Sequence, residues 1–276
     1  MIKLRDLLQQ SEKEIPSDTP RLDAEILLAH CLAVPRSYLF TYPEQLITDE
    51  QYQQFSILLN RRKLGEPIAY ITGHKEFWGL NLLSTNAALT PRPETELLVE
   101  RVLACAPAQA SILDLGTGTG AIALALAKER PHWQIIATDI SKKALDLAEK
   151  NAQQLALKNI TFYQGDWFSA LPAQQRFDVI VSNPPYIAED DPHLSHPSLK
   201  YEPYNALVSG KDGLDAIRLL IAKAADYLKP NGYLLIEHGH DQSAAVVGLL
   251  TTAGFITEVF SDYQGIIRVA QATFPT

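Results

Sequence analysis

Cysteine is scarce in this chain. Only Cys31 and Cys105 occur in 276 residues, far apart and with no second thiol or histidine at metal-ligand spacing. Such a pair reads as two small buried hydrophobes in a reducing compartment. There is no lysine- or arginine-rich tail, and the formal charge is −8, which disfavours a broad electrostatic grip on nucleic acid. No apolar run reaches membrane-spanning length, and the opening MIKLRDLLQQSEKE turns polar too soon for a signal peptide. A soluble, cytoplasmic protein without internal repeats or low-complexity segments is expected.

What is present suggests one large and one small domain, with 46% hydrophobic residues to build the cores. Residues 1–64 read as a helical domain for substrate recognition. Leu4, Leu7 and Leu8 begin an apolar stripe, Asp18-Thr19-Pro20 marks a helix start, and Thr48 with Gln51 resembles a capping box. Residues 65–90 form a glycine-punctuated linker with a predicted β-hairpin. From 91 to 276 strands and helices alternate. Strands are expected at Ile112–Leu115, Gln134–Thr138, 160–164, 177–182 and 232–237, then near 255–260 and 266–270. Helices are expected over 93–105, 121–129, 141–155 and 213–228, with one more before the last two strands. The alternation predicts an α/β domain with a doubly wound, mostly parallel sheet. Ligands of such sheets sit beyond the carboxyl ends of the strands, where the strand order switches direction.

The distinctive residues fall at those ends. Ile112-Leu113-Asp114-Leu115 runs into Gly116-Thr117-Gly118-Thr119-Gly120 and a helix, a turn that lets a ligand approach the backbone. Asp139, at the end of the next strand, is placed to accept hydrogen bonds from a ribose. Gly116, Gly118 and Ala121 also satisfy a loose dinucleotide pattern, so a nicotinamide enzyme is a rival. Against it, the Asp114 carboxylate would face a pyrophosphate awkwardly, yet could neutralise the amino and sulfonium charges of S-adenosylmethionine. Bonding to loop N–H groups is the alternative role for Asp114.

The strand at 177–182 ends in Asn183-Pro184-Pro185-Tyr186. An amide or aryl amine is a poor nucleophile because its lone pair is delocalised, and two acceptors beside the NH₂ favour a more pyramidal nitrogen. Asn183 supplies one carbonyl, the stiff Asn-Pro-Pro backbone can hold the Pro184 carbonyl outward, and Tyr186 offers a flat face. The chemistry would be mostly positioning and electrostatics.

With these residues in place, LDLGTGTG, Asp139, Asp166-Trp167-Phe168 and NPPY resemble the class I S-adenosylmethionine-dependent N-methyltransferases. More narrowly, GEPIAYITGHKEFWGL, PRPETE at 91–96, GDWFSAL at 165–171, SNPPYI at 182–187 and IEHG at 236–239 are similar to the release-factor glutamine methyltransferases, the PrmC/HemK family. The likeness spans nearly the whole chain. It implies methyl transfer from S-adenosyl-L-methionine to the glutamine side chain in the Gly-Gly-Gln loop of class I peptide chain release factors. It further implies that Gly116, Thr117, Gly118, Thr119 and Gly120 surround the methionine and ribose of the cofactor. Asp139 would bind the ribose hydroxyls and Trp167 would lie against the adenine, with Asp166 near its amino group. Asn183 would stand between cofactor and substrate, with Pro184, Pro185 and Tyr186 completing the glutamine pocket. Asn183, Pro184 and Tyr186 are thus the catalytic candidates.

Other residues carry less. Arg92, Glu94 and Glu96 suit a helix start, Glu237 and His238 suit a structural strand end, and Arg61-Arg62-Lys63 suits a solvated helix end. His193 and His196 lack a third ligand, so no metal is expected. The long loop from Ala188 to Val208 is expected to close over the glutamine pocket. The alternative substrate is an exocyclic amine of a nucleic-acid base, which would call for a basic surface. Residues 1–80 hold nine Lys and Arg against eleven Asp and Glu, so no direct nucleic-acid binding is expected. A monomer without membrane association is expected, and a noncatalytic binding protein would predict cofactor binding without turnover.

Overall fold

Residues 1–172 and 174–275 of a computed structural model are described here, and they divide into two units. The first comprises Met1–His74 together with Ser195–Tyr201. Its elements are β1 (Ile2–Lys3), α1 (Leu4–Glu12), α2 (Pro20–Leu32), α3 (Arg36–Thr41), β2 (Leu46–Ile47), α4 (Asp49–Lys63) and α5 (Ile68–Thr72). Leu4, Leu7 and Leu8 share one face of α1 and are buried with Leu27, Leu28 and Phe55. Helix α2 starts on Pro20, and α4 starts with the full Thr48–Gln51 capping box. One feature departs from the all-helical expectation: β1 and β2 pair antiparallel, Ile2 opposite Ile47. Two residues per strand are too few to write a period-2 pattern.

The basic run at the end of α4 is not simply solvated. Arg62 Nε lies 2.7 Å from the buried Asp23 carboxylate, Lys63 Nζ lies 2.7 Å from Glu14, and Arg61 Nε donates to Glu66 at 2.8 Å. Ser195–Tyr201 packs on the same region. The Tyr201 hydroxyl donates to the Leu64 carbonyl at 3.4 Å, and Pro197 lies so close to Gly65 that an added Cβ would come within 2.5 Å of it.

The second unit, Lys75–Leu194 with Glu202–Thr276, opens in the hairpin of β3 (His74–Phe77) and β4 (Leu80–Leu83). A 3₁₀ turn at Pro93–Thr95 leads into α6 (Glu96–Cys105). Then come β5 (Ser111–Leu115), α7 (Ala121–Glu129), β6 (Gln134–Asp139), α8 (Lys142–Gln154), β7 (Ile160–Gln164) and β8 (Phe177–Ser182). The chain finishes with α9 (Asp215–Tyr227), β9 (Leu228–Glu237), α10 (Ser243–Thr252), β10 (Ile256–Ser261) and β11 (Ile267–Thr273). The sheet order is β10-β11-β9-β8-β5-β6-β7. Strands β7, β6, β5, β8 and β9 run parallel, and β11 and β10 are added antiparallel. This is the expected doubly wound, mostly parallel sheet.

Alternation along the strands divides the core between the two faces. Ile112, Val179, Val181 and Leu235 pack with α6 and α7, whereas Leu113, Ile180, Leu234 and Ile236 pack with α9 and α10. Strand β9 begins earlier than expected, because Pro230 and Asn231 sit in an irregularity of the β8–β9 ladder. Phe177 opposes Leu228, yet Val179 already opposes Tyr233. Such a bulge tolerates a proline that a regular central strand would exclude. Both cysteines are free and half-buried, and burial pushes the Cys105 thiol up to about 11. Among the described residues, no helix is long and apolar enough to cross a membrane.

Candidate active site

The strand register brings three distant segments into one row. Leu115 of β5 lies beside Thr138 of β6 on one side and Ser182 of β8 on the other. The residues that follow, Gly116, Asp139 and Asn183, therefore leave adjacent parallel strands at the same level. Strand order reverses between β5 and β8, so this row marks the switch point of the sheet. The Ser182 hydroxyl donates to the Leu115 carbonyl at 2.7 Å and fixes the two strand ends together.

Beyond the row lies a cavity of about 450 Å³. Its walls include Gly116–Thr119 of the glycine loop, Asp139, Asp166, Trp167, Asn183 and Pro185. The loop is held from below: Gly116 and Thr117 N–H both donate to the Thr138 carbonyl at 2.9 Å. Gly116 has φ 73° and faces the indole, where an added Cβ would stand 3.2 Å from the Trp167 ring. Gly118 N–H donates to Asp139 Oδ2 at 2.9 Å, and Ser141 N–H donates to Oδ1 at 2.8 Å. Each carboxylate oxygen keeps a further lone pair for a ligand. Burial raises the Asp139 carboxyl, and those two N–H donors oppose the rise.

Asp114 does not reach the cavity wall. Its side chain is fully buried and accepts the Thr117 hydroxyl at 2.6 Å, so it braces the glycine loop. Burial pushes this carboxyl up to about 7 against the pull of the Thr117 hydrogen bond. Gly120, too, is off the wall. It caps α7 in a left-handed conformation, where a Cβ would stand 2.8 Å from Leu124.

The Asn-Pro-Pro-Tyr segment divides in the same manner. Asn183 Nδ2 donates to Thr95 Oγ1 at 3.0 Å, while Asn183 Oδ1 is buried with no hydrogen-bond partner in the protein. Pro184 is buried behind it, and only Pro185 joins Asn183 on the wall. Tyr186 packs against the second core, with its hydroxyl 3.5 Å from Glu237 Oε1 and its carbonyl held by Gln242 Nε2 at 2.9 Å. Burial raises the Tyr186 phenol, and the nearby Glu237 raises it further.

Several wall residues were not singled out from the sequence. Thr95 is the partner of Asn183, and Ala87–Leu89 and Ser209 also line the cavity, whereas Pro203, Asn205, Ala206 and Val208 on its wall belong to the long loop expected near the pocket. Thr95 belongs to PRPETE, so the motif was visible although the threonine's role was not. Of its neighbours, Glu96 accepts the Trp78 N–H at 2.7 Å and Arg92 pairs with Glu202. His193 contacts Asp191 and His196 contacts Ser198, and no group of three or more metal-ligating side chains occurs among the described residues.

Comparison with known proteins agrees with this geometry. Residues 108–260 match the family model described as a methyltransferase domain, and residues 3–73 match the PrmC N-terminal domain. Among solved structures, a methyltransferase from Pyrococcus furiosus shares the fold with a TM-score of 0.55 at 18% identity, covering 81% of this chain and 98% of that one. A 16S rRNA N2 G1207 methyltransferase from T. thermophilus, solved with AdoMet and guanosine, has a TM-score of 0.53 at 22% identity. That match covers 72% of this chain and 49% of the other. Fold and family model together define a class I methyltransferase.

Two relatives narrow the class. The release factor glutamine methyltransferase of Pseudomonas aeruginosa is 51% identical over 246 residues, 88% of this chain and 89% of its own. That of Escherichia coli K12 is 51% identical over 268 residues, 96% of this chain and 95% of its own. The chain belongs to the release factor glutamine methyltransferase family.

Proposed function

We propose that this protein methylates the side-chain nitrogen of the glutamine in the Gly-Gly-Gln loop of class I peptide chain release factors, with S-adenosyl-L-methionine as donor. One observation carries the reading: Asn183 lines the cavity that the glycine loop and Asp139 also line, and its side-chain carbonyl is buried without a partner in the protein. A buried carbonyl left unpaired is unfavourable by about 1–3 kcal/mol, and an amide N–H entering the cavity would satisfy it.

The residues present fit the donor. The backbone of Gly116–Thr119 offers a surface free of side-chain interference, Asp139 has spare acceptor capacity for a ribose, and Trp167 gives an aromatic wall for an adenine, with Asp166 beside it. When bound, S-adenosylmethionine supplies a methyl group on a sulfonium, which leaves as a thioether once the carbon has passed to the amide nitrogen.

The remaining work belongs to the chain. Asn183 Oδ1 accepts one N–H of the glutamine amide and turns its nitrogen toward the donor, and the Pro184 carbonyl is the proposed second acceptor. Two acceptors favour a pyramidal nitrogen over the planar, delocalised one. No general base is required, because the nitrogen becomes acidic as it gains carbon and its proton can pass to water. The Pro184 and Tyr186 rings stand behind the wall, so their part is to hold Asn183 and Pro185 in place, Tyr186 through its contacts with Glu237 and Gln242. A single glutamine offers too little surface for selection, so the helical first unit is the proposed grip on the folded release factor.

The test is incubation of the protein with labelled S-adenosylmethionine and a purified release factor, beside a factor whose Gly-Gly-Gln glutamine is changed to asparagine. Label on the first and not the second is expected. Equal labelling of both would overturn the glutamine assignment, and label in RNA alone would move the substrate to a nucleic-acid base.

A further inference from the structure

Asparagine is a poor helix former, and burying its amide is unfavourable unless the amide is hydrogen-bonded. Asn151 nevertheless sits within α8 with only 1% of its surface exposed. Its side chain bonds two segments that lie 68 and 32 positions away in the chain. Oδ1 accepts the Leu83 N–H at 2.7 Å, and Nδ2 donates to the Leu83 carbonyl at 3.2 Å and to the Thr119 carbonyl at 3.0 Å. These partners fix the orientation of the amide. A half-turn about χ2 would set the NH₂ against the Leu83 N–H and an oxygen against two carbonyls.

Both partners continue into the cavity wall. Thr119 belongs to the glycine loop, and the chain leaving Leu83 supplies Ala87, Ala88 and Leu89. The two segments stand close together: a Cβ added to Gly118 would lie 3.8 Å from the Ala88 Cβ. Helix α8 backs the same loop, since a Cβ added to Gly120 would lie 3.1 Å from the Ala148 Cβ. Asn151 and Leu83 themselves are behind the wall.

We infer that Asn151 is a positioning residue for the methyl donor, a clamp that ties the glycine loop to the 83–89 segment and so sets the spacing of two walls of the cavity. This deepens the proposed function and rests on its donor reading. Without the clamp the Leu83 N–H and two carbonyls lose their partners, and loop and segment must relax to find new ones. Donor affinity then falls with the fraction of molecules that keep the walls at binding distance. At saturation the ligand itself holds the walls, and Asn183 is untouched. The signature is a loss of donor affinity with turnover preserved.

Two measurements on the full-length protein test the clamp. The first compares the parent with Asn151→Ala and with Asn151→Asp, which keeps an acceptor for Leu83 but turns a second oxygen against carbonyls. Affinity for S-adenosylhomocysteine, titrated by calorimetry well below the melting transition, is expected to fall roughly tenfold in Asn151→Ala and at least as far in Asn151→Asp. With release factor and saturating S-adenosylmethionine, kcat of Asn151→Ala should stay within about threefold of the parent. A variant that melts earlier yet binds as the parent does would overturn the role. So would one that keeps its affinity and loses kcat.

The second measurement needs no ligand. Exchange of the Leu83 amide hydrogen, followed by NMR, is expected to accelerate in Asn151→Ala well beyond that of Leu113, a buried residue of the central strand β5. Equal acceleration at both positions would mean that only global stability had changed and would refute the clamp. A parent that binds no S-adenosylhomocysteine would remove the donor reading and the positioning role with it. A parent that binds, beside an Asn151→Ala variant that binds equally well, would remove the role alone.

Discussion

Arg92 Nη2 meets Glu202 Oε1 at 2.7 Å, joining the stretch before α6 to the returning end of the loop that begins at Asn183. The Glu202 side chain is wholly buried and that of Arg92 is 36% exposed. Burial raises the Glu202 carboxyl, and the guanidinium opposes the rise. Arg92→Ala would leave a buried acid without its counter-charge. The expected loss is about 2 kcal/mol, below that of a fully buried pair because water already reaches Arg92. Adding Glu202→Gln should restore part of it. Denaturant melts of the parent, the single variants and the double variant decide this, and strict additivity would show that the pair does not couple.

Asn183→Ala removes the acceptor and leaves the glycine loop untouched. Turnover is expected to fall by about two to three orders of magnitude, as for other lost groups that stabilise a transition state. S-adenosylmethionine affinity, measured by calorimetry, should change little. An unimpaired rate would remove Asn183 from the reaction.

Gly116→Ala acts on the opposite wall. The residue has φ 73°, and a Cβ would press on the Trp167 ring from 3.2 Å. Strain in the left-handed region amounts to about 1–2 kcal/mol. The new methyl would also occupy the gap between loop and indole. Cofactor affinity is expected to drop at least roughly tenfold, with a modest fall in melting temperature. Unchanged binding would place the cofactor elsewhere.

Glu237 gives the protein a pH signature. Burial pushes its carboxyl up to about 7, with the Thr95 hydroxyl, Arg268 and the Tyr186 hydroxyl holding it down and Glu94 pushing it further up. An unfolded chain releases this proton near the ordinary value of 4.5, the folded chain only near 7. Between those values the folded state binds the extra proton, so stability falls as pH rises through the window and levels off above it. Glu237→Gln should flatten part of the slope in melts between about pH 4.5 and 8, while Asp114, also raised to about 7, keeps a slope of the same sign.

Much of the fold was legible because its signals are local. Ile112–Leu115 is apolar at every position but Asp114, as suits a strand buried on both faces, and the Thr48–Gln51 and Ser141 caps are written within one helical turn. The glycine loop, Asp139 and Asn183 could be placed together because parallel strands deliver their ends to one edge. What stayed hidden depends on partners far apart in the chain. Thr95 and Asn183 are 88 positions apart, and Arg92 and Glu202 are 110 apart. No local pattern encodes such pairs. Asp114 shows a different limit: its position at a strand end was clear, but only the Thr117 hydroxyl at 2.6 Å shows that it faces the loop and not a ligand. Tyr186 and Pro184 illustrate the same limit, since adjacency to Asn183 does not say which side chains reach the wall.

Ser195–Tyr201 makes the helical unit discontinuous in sequence. The backbone passes between the two units three times, so neither can be excised by one cut. A fragment ending at His74 would lack the proline that covers Gly65 and the phenol that binds the Leu64 carbonyl. Swapping this unit between relatives therefore requires transplanting two separate stretches of chain, one of them inside the loop that starts at Asn183.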